Sequence, residues 1–344
     1  MTCRRPLLVL AALGLLLGIA PAAWGQAPVP TGTFTALSYN VAGLPEPLSG
    51  SEPATNSPLI SPLLNDYELV LLQEDWVDVL AQHGARPAGS EDVPRTGYHD
   101  LIVADALHPF RSEPMSSPPP LTGTLGRLPS GPTMSGDGLN HLSDLPSGDV
   151  HRVMWETCHG ELHVTAVEAV AEAAGIEDPT GDDIDGGSAD CGAQKGFSVT
   201  SVELAPGVDV DVYNLHADAG SHPNDLEARR QNFTQLASFL TEHSAGRAVI
   251  LGGDTNLRTG PGARDDETWS AFLRDTGLTD VCEAVDCGAD AGEIDKFAFR
   301  SGGGTQIVPT SHRFERDRFV RDDGAPLSDH DALAVQFRWA HARR

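Results

Sequence analysis

The chain has 344 residues, with 23 Lys and Arg against 49 Asp and Glu, a formal charge of −26. Hydrophobic residues make up 40%, enough for a core, which excludes wholesale disorder. Lys195 and Lys296 are its lysines, and this poverty of base argues against a protein that coats nucleic acid, because phosphate contacts need clustered Lys and Arg. An enzyme that meets phosphate through a bound cation stays open.

Arg4 and Arg5 precede an apolar run over 7–20, and small residues follow up to Ala27. This pattern predicts a signal peptide over 1–27, cleaved after Gly25 or Ala27. The apolar run is short for a membrane span, which needs roughly 20 residues. A secreted protein, extracellular or periplasmic, is therefore expected, and loss of Arg4 and Arg5 takes the charge from −26 to −28. In an oxidising compartment the four later cysteines, Cys158, Cys191, Cys282 and Cys287, allow three pairings. The pairing expected is Cys282 with Cys287, closing a small loop, and Cys158 with Cys191, bracketing a Gly- and Asp-rich excursion. Four free thiols are the alternative, and no Cys/His spacing points to zinc.

Short β-rich runs at 34–41, 68–73, 100–104, 150–155, 197–204, 208–215, 248–252, 294–299 and 332–337 predict strands. The run 69–72 is apolar throughout, which predicts burial on both faces. A helix is predicted over 224–243, where Leu226, Phe233, Leu236, Ala237 and Leu240 share a face, and a second over 164–174. Strands and helices mixed without strict alternation predict α+β or a layered sandwich, not a barrel. The least regular stretch, 84–148, carries Pro118-Pro119-Pro120 and predicts a long substrate-side loop or an insertion. No linker divides the chain, so a single catalytic domain is expected over 28–344, its structured part running from Thr31 to Trp339.

Polar residues that a strand has no need for stand at the ends of these strands. They are Asn40, Glu74, His216, Asp254 with Asn256, Asp295, and Asp329 with His330. Asn, Asp and Glu oxygens suit a hard cation such as Mg²⁺. Two histidines with a nearby Asp supply acid, base and orienter. Singly, each has an ordinary reading: an Asn or Asp after a strand is a turn residue, a Glu is solvated, and a His is structural. The ordered set is what points to chemistry.

The set lies in SYNVAGLPE (38–46), LLQEDW (71–76), YNLHADAG (213–220), GGDTN (252–256), EIDKF (293–297) and LSDHDAL (327–333). In order, and across essentially the whole exported chain, these segments resemble the endonuclease/exonuclease/phosphatase superfamily of deoxyribonucleases, inositol polyphosphate phosphatases and neutral sphingomyelinases. SGDGLNHLSDLP (135–146), Trp155 with Cys158, and Asp190-Cys191 with Lys195-Gly196-Phe197 are similar to the sphingomyelinase-like branch. The resemblance implies a deoxyribonuclease-like four-layer α/β sandwich, two packed mixed β-sheets flanked by helices. It implies a metal held by Asn40, Glu74 and Asp329, with Asp254 and Asn256 positioning water and phosphate oxygens and a second metal left open. Mg²⁺ is the expected ion, with Mn²⁺ or another divalent ion as substitute. His330 is implied as general base oriented by Asp295, with Asp254 the alternative base, and His216 as the group that stabilises phosphate and protonates the leaving oxygen.

The function implied is a secreted Mg²⁺-dependent phosphodiester hydrolase of the phospholipase C type. The alternative is a secreted deoxyribonuclease-type endonuclease, and a non-catalytic binding module is the third reading. A phospholipid partner is favoured over nucleic acid, with peripheral membrane contact; no protein partner is inferred, and a monomer is expected. Three weaker features remain. Asp182, Asp183 and Asp185 are a Ca²⁺ candidate against a solvated loop, with Gly181 and Gly192 where an EF-hand needs ligands. Arg313, Arg316, Arg318 and Arg321 alternate with acids, which predicts a mixed solvated surface over a phosphate grip, while Phe314 and Phe319 are candidate lipid contacts. Lys195 reads as a packed structural residue or a substrate contact.

Overall fold

The computed structural model describes residues 29–44, 49, 51–76, 97–115, 136–159, 190 and 193–342. The expected signal peptide, the helix predicted over 164–174, the Ca²⁺ candidate run at 182–186, and Cys191 lie outside the described residues. Cys282 and Cys287 form a disulfide, as expected. Cys158 is also disulfide-bonded.

Two six-stranded sheets form the body. The first has the order β11 (Thr305–Phe314), β12 (Leu333–His341), β1 (Thr31–Asn40), β2 (Leu69–Gln73), β4 (Asn140–Ser143), β3 (Phe110–Arg111). The second has β5 (His151–Met154), β6 (Gly196–Ala205), β7 (Val208–His216), β8 (Val249–Asp254), β10 (Asp295–Arg300), β9 (Thr279–Asp280). Both are mixed: β1 and β2 run parallel, as do β7 and β8, among antiparallel neighbours.

Alternation along the central strands builds the layers, because successive side chains leave a strand on opposite faces. Phe34, Ala36, Leu69 and Leu71 from one sheet meet Val202, Val210, Val212, Ile250 and Phe297 from the other. The intervening residues point outward. Leu37, Tyr39, Val70 and Leu72 pack on Ile60 and Leu64 of a helix segment. Phe197, Tyr213, Leu215 and Leu251 pack on Phe233, Leu236, Leu240, Trp269 and Phe272 of the helices Pro223–His243 and Asp266–Thr276. The result is helix, sheet, sheet, helix: the four-layer sandwich. Leu71 is fully buried between the sheets. Leu71→Ala is expected to cost about 2–5 kcal/mol, read as a lower urea midpoint at unchanged slope.

Helix Pro223–His243 begins one residue before its predicted start. Pro223 sits at the first turn, and His222 and Asp225 close a reciprocal cap. The strand predicted over 100–104 is instead a helical turn, His99–Ile102. Its Ile102 enters the outer core and Val103 N–H closes onto His99 O at 3.0 Å, so the apolar run serves a turn. Helix Pro53–Leu63, which was not among the predicted elements, carries Pro58 and Pro62. Part of the irregular stretch 84–148 joins the first sheet as β3 and β4.

Phe314 and Phe319 are buried, not lipid-facing; Phe319 packs edge-on against Tyr39 with ring centroids 4.8 Å apart. The nearby arginines are each paired: Arg313 with Glu315, Arg316 with Asp290 and Asp331, Arg318 with Asp66, Arg321 with Glu52. This matches the mixed surface. Among the described residues, no helix is long and apolar enough to cross a membrane.

Candidate active site

The inner faces of the sheets are apolar for most of their length and turn polar at one end. On β1 the inward series Phe34, Ala36 continues as Ser38, Asn40; on β2 Leu69, Leu71 continues as Gln73; on β7 Val210, Val212 continues as Asn214, His216; on β8 Ile250 is followed by Asp254. Asp295 of β10 sits in register with Asp254. The boundary is a buried amide layer. Gln73 Nε2 donates to Asn214 Oδ1 at 2.7 Å across the sheets, and Asn214 Nδ2 donates to Leu72 O at 2.9 Å. Bonded this way, the amides lose little on burial.

Above that layer the predicted residues converge. Asn40 Nδ2 lies 3.1 Å from both Glu74 Oε1 and Asp254 Oδ2. His216 Nε2 is 3.3 Å from Asp254 Oδ2 and 3.9 Å from Glu74 Oε1. His330 Nε2 is 3.6 Å from the same Asp254 oxygen, while its Nδ1 is 2.7 Å from Asp295 Oδ2. Asn40 turns its nitrogen to the carboxylates and accepts from Ala42 N–H at 3.0 Å through Oδ1. Asn256 braces Asp254: its N–H donates to Asp254 Oδ1 at 3.0 Å, and its Nδ2 donates to Ala217 O at 3.1 Å. Asp329 is exposed at the rim, next to His330. Ser328 Oγ ties that segment to Asn40 O at 2.7 Å.

Local backbone holds these groups close. Gly253 has φ +150°, and a Cβ there would lie 2.1 Å from Leu215 O, so only glycine lets β8 press against β7 just before Asp254. Glu74 and Asn256 are non-glycine residues in the left-handed region, φ +54° and +51°. Such residues cost of order 1–3 kcal/mol each and cluster at functional sites.

The electrostatics leave a deficit of positive charge. Burial pushes the Glu74 carboxyl above its ordinary range, with Lys195, Asn40 and His330 pulling it back. Burial likewise opposes charge on Asp254, but His330, His216 and Lys195 hold it below the usual carboxylate range. Burial opposes charge on His330, yet Asp295 and Asp254 keep its pKa well above the ordinary value. Burial, then Lys195, pushes the His216 pKa well below its ordinary value. Five carboxylates, Glu74, Asp190, Asp254, Asp295 and Asp329, thus surround one ammonium and one imidazolium, a formal excess of three negative charges when all are ionised.

That excess, and the hard oxygens of Glu74 and Asp254, fit a divalent cation. Asp254, Asp295 and His330 also bring ligand atoms within 4.8 Å of one another. Cys282, Cys287 and His312 come equally close, but the two sulfurs are spent on each other. Lys195, missing from the predicted site, is buried and paired with Asp190 at 2.5 Å, and its charge acts on both Glu74 and Asp254. A cavity of about 350 Å³ lies between helices Pro223–His243 and Asp266–Thr276, on the outer face, and none of these residues lines it.

One buried histidine in the inter-sheet layer carries a pH prediction. His141 of β4 contacts Ser198 Oγ at 2.8 Å, and burial, then Arg152, lowers its pKa from 6.5 to about 3. Its unfolded form takes up a proton first, so stability is full above pH 6.5 and falls as pH drops towards 3. The expected slope is up to about 1.4 kcal/mol per pH unit. Urea midpoints at neutral pH and at mildly acid pH should show a smaller drop for His141→Gln than for the unmodified chain.

No family model matches the chain. It is 29% identical over 332 residues to a protein named sphingomyelinase from Mycobacterium tuberculosis, an alignment covering 92% of this chain and 55% of that protein. The chain therefore spans about half the length of the curated relatives it matches. A mutant of beta toxin from Staphylococcus aureus, solved with bound magnesium ions, superposes at a TM-score of 0.55 with 14% identity, over 88% of this chain and 99% of that one. An endonuclease/exonuclease/phosphatase from Beutenbergia cavernae superposes at 0.51 with 16% identity, over 89% of this chain and 71% of that one. At these identities the solved structures speak for fold: the chain has the fold of the endonuclease/exonuclease/phosphatase proteins, and its sequence is similar to a sphingomyelinase.

Proposed function

We propose that the chain is a divalent-cation-dependent phosphodiester hydrolase of the phospholipase C type, acting on sphingomyelin or a related phospholipid after export from the cell. The observation that carries it is the meeting of Asn40, Glu74, His216, Asp254, Asp295 and His330 at one end of the sandwich. The choice of lipid is supported by the relatives named sphingomyelinase.

Glu74 and Asp254 would hold the cation, with Asp329 at the rim; Mg²⁺ is the ion proposed, in line with the magnesium of the beta toxin structure. These residues would hold the ion where it would supply charge neutralisation at the phosphoryl oxygens and support for the leaving group. Asn40 spaces the two carboxylates by donating between them. Asn256 N–H fixes the rotation of Asp254. Asp295 fixes the ring of His330 through Nδ1 and leaves Nε2 facing Asp254, so the proton of the attacking water would pass to the Asp254 carboxylate, beside the charged His330 ring. His216 is the neutral ring beside Asp254, suited to donate to a phosphoryl or leaving oxygen. The nuclease reading shares this machinery, but Arg316 and Arg321, in the segment that leads to His330, are paired with carboxylates.

The test offers purified protein and Mg²⁺ either sphingomyelin and phosphatidylcholine vesicles or plasmid DNA, each with and without chelator. Chelator-sensitive phosphocholine release is expected. Chelator-sensitive nicking without lipid cleavage would move the chain to the nuclease reading, and silence in both arms would sink the proposal.

A further inference from the structure

Glu74 keeps a left-handed backbone, φ +54°, which a non-glycine residue holds only where its surroundings impose it. The surroundings are specific. The next residue, Asp75, has a fully buried side chain. Its Oδ2 is 2.7 Å from His99 Nδ1 and accepts from Asn140 Nδ2 at 2.9 Å. The same Asn140 nitrogen donates to Asp75 O at 3.0 Å, and Asp75 N–H donates to Gly138 O at 3.0 Å. His99 N–H reaches Trp76 O at 3.3 Å. Asn140 is held in turn: its Oδ1 accepts from Ser112 Oγ at 3.2 Å and Arg152 Nη2 at 3.3 Å. Residues 24 and 65 positions away in sequence therefore grip the peptide that follows Glu74. On the other side, Gly43 lies so near that a Cβ there would be 2.1 Å from Glu74 O.

A buried carboxylate needs such partners, but a purely structural one could sit anywhere. This one is bonded to the residue whose φ decides where the Glu74 carboxylate points. We propose that Asp75, clamped by His99 and Asn140, is a positioning residue that locks the peptide after Glu74 and thereby sets the affinity of the Glu74–Asp254 pair for a divalent cation. The proposal rests on the cation reading above and extends it to residues that touch neither cation nor substrate. It also gives the segment 135–146 a task, since Gly138 and Asn140 both belong to it. Partners behind a metal ligand commonly change affinity by about 10- to 100-fold when removed.

The experiment titrates the whole chain with Mn²⁺, reading free Mn²⁺ by electron paramagnetic resonance, with thermal unfolding alongside. Asp75→Asn and His99→Leu are expected to weaken Mn²⁺ binding by about 10-fold or more. Turnover should largely recover at saturating Mn²⁺, a change in metal requirement and not in kcat. His99→Asn, which restores an N–H donor near the Nδ1 position, is expected to bind within about threefold of the unmodified chain. Should His99→Leu fail to fold, the isosteric Asp75→Asn decides. Unchanged Mn²⁺ affinity in Asp75→Asn, with binding lost in Glu74→Gln, overturns this proposal and leaves the cation reading standing. No Mn²⁺ binding by the unmodified chain overturns both.

Discussion

His330→Ala is expected to lower phosphodiester turnover by about 10²- to 10⁴-fold, the usual worth of a positioned proton carrier. The ring is 16% exposed at its side chain, so it is reachable from solvent while backed by buried Asp295 and Asp254. Asp295 Oδ2, 2.7 Å from Nδ1, fixes which nitrogen faces the site. Asp295→Asn keeps the shape but removes the negative charge that holds the His330 ring in its charged form, and should cost about tenfold or more. Because the two act as one unit, the double variant should be no slower than His330→Ala alone. Single-turnover rates with circular dichroism as the check on folding decide this, and independent, additive losses would break the dyad assignment.

Glu74→Gln is expected to cut turnover by about 10³-fold, corresponding to several kcal/mol of lost charge stabilisation. The amide keeps the size of Glu74 and can still accept from Asn40 Nδ2, so the contact at 3.1 Å survives. What goes is a negative charge that burial already disfavours. Stability without added cation should therefore hold or rise, while the gain in Tm that Mg²⁺ gives the unmodified chain should vanish. A variant that is slow and equally stabilised by Mg²⁺ would show that Glu74 acts elsewhere than at the cation.

The polar end of the sandwich was legible because the period-two pattern persists while its chemistry changes. Leu71 gives way to Gln73 on the inner face, and Glu74 follows the end of the strand; Val212 gives way to Asn214 and His216. Polar groups at those positions have no packing reason to be there, and their order along the chain carried the rest. Other parts were hidden for physical reasons. Helix Pro53–Leu63 carries two prolines, which read as breaks, yet Ile60 still reaches the outer core. Strands β3 and β9 have two residues each, too few to display a period. The turn His99–Ile102 shares its apolar run with a short strand, and only its placement beneath Asp75 separates the two. Asp75, His99 and Asn140 come from three segments, and singly none of them stands out in the sequence. The site also adds Lys195, whose choice between packing and substrate the sequence left open; it is buried against Asp190 and lends its charge to Glu74 and Asp254.

The central claim is that water attacks phosphorus at this cluster under control of a divalent cation. Cleavage of sphingomyelin in ¹⁸O-labelled water, with Mg²⁺ and with chelator, tests it most directly. The account predicts one ¹⁸O in the phosphoryl group of the released phosphocholine, none in the ceramide hydroxyl, and no product with chelator. Label in the ceramide oxygen, or phosphocholine formed at full rate in chelator, would contradict it.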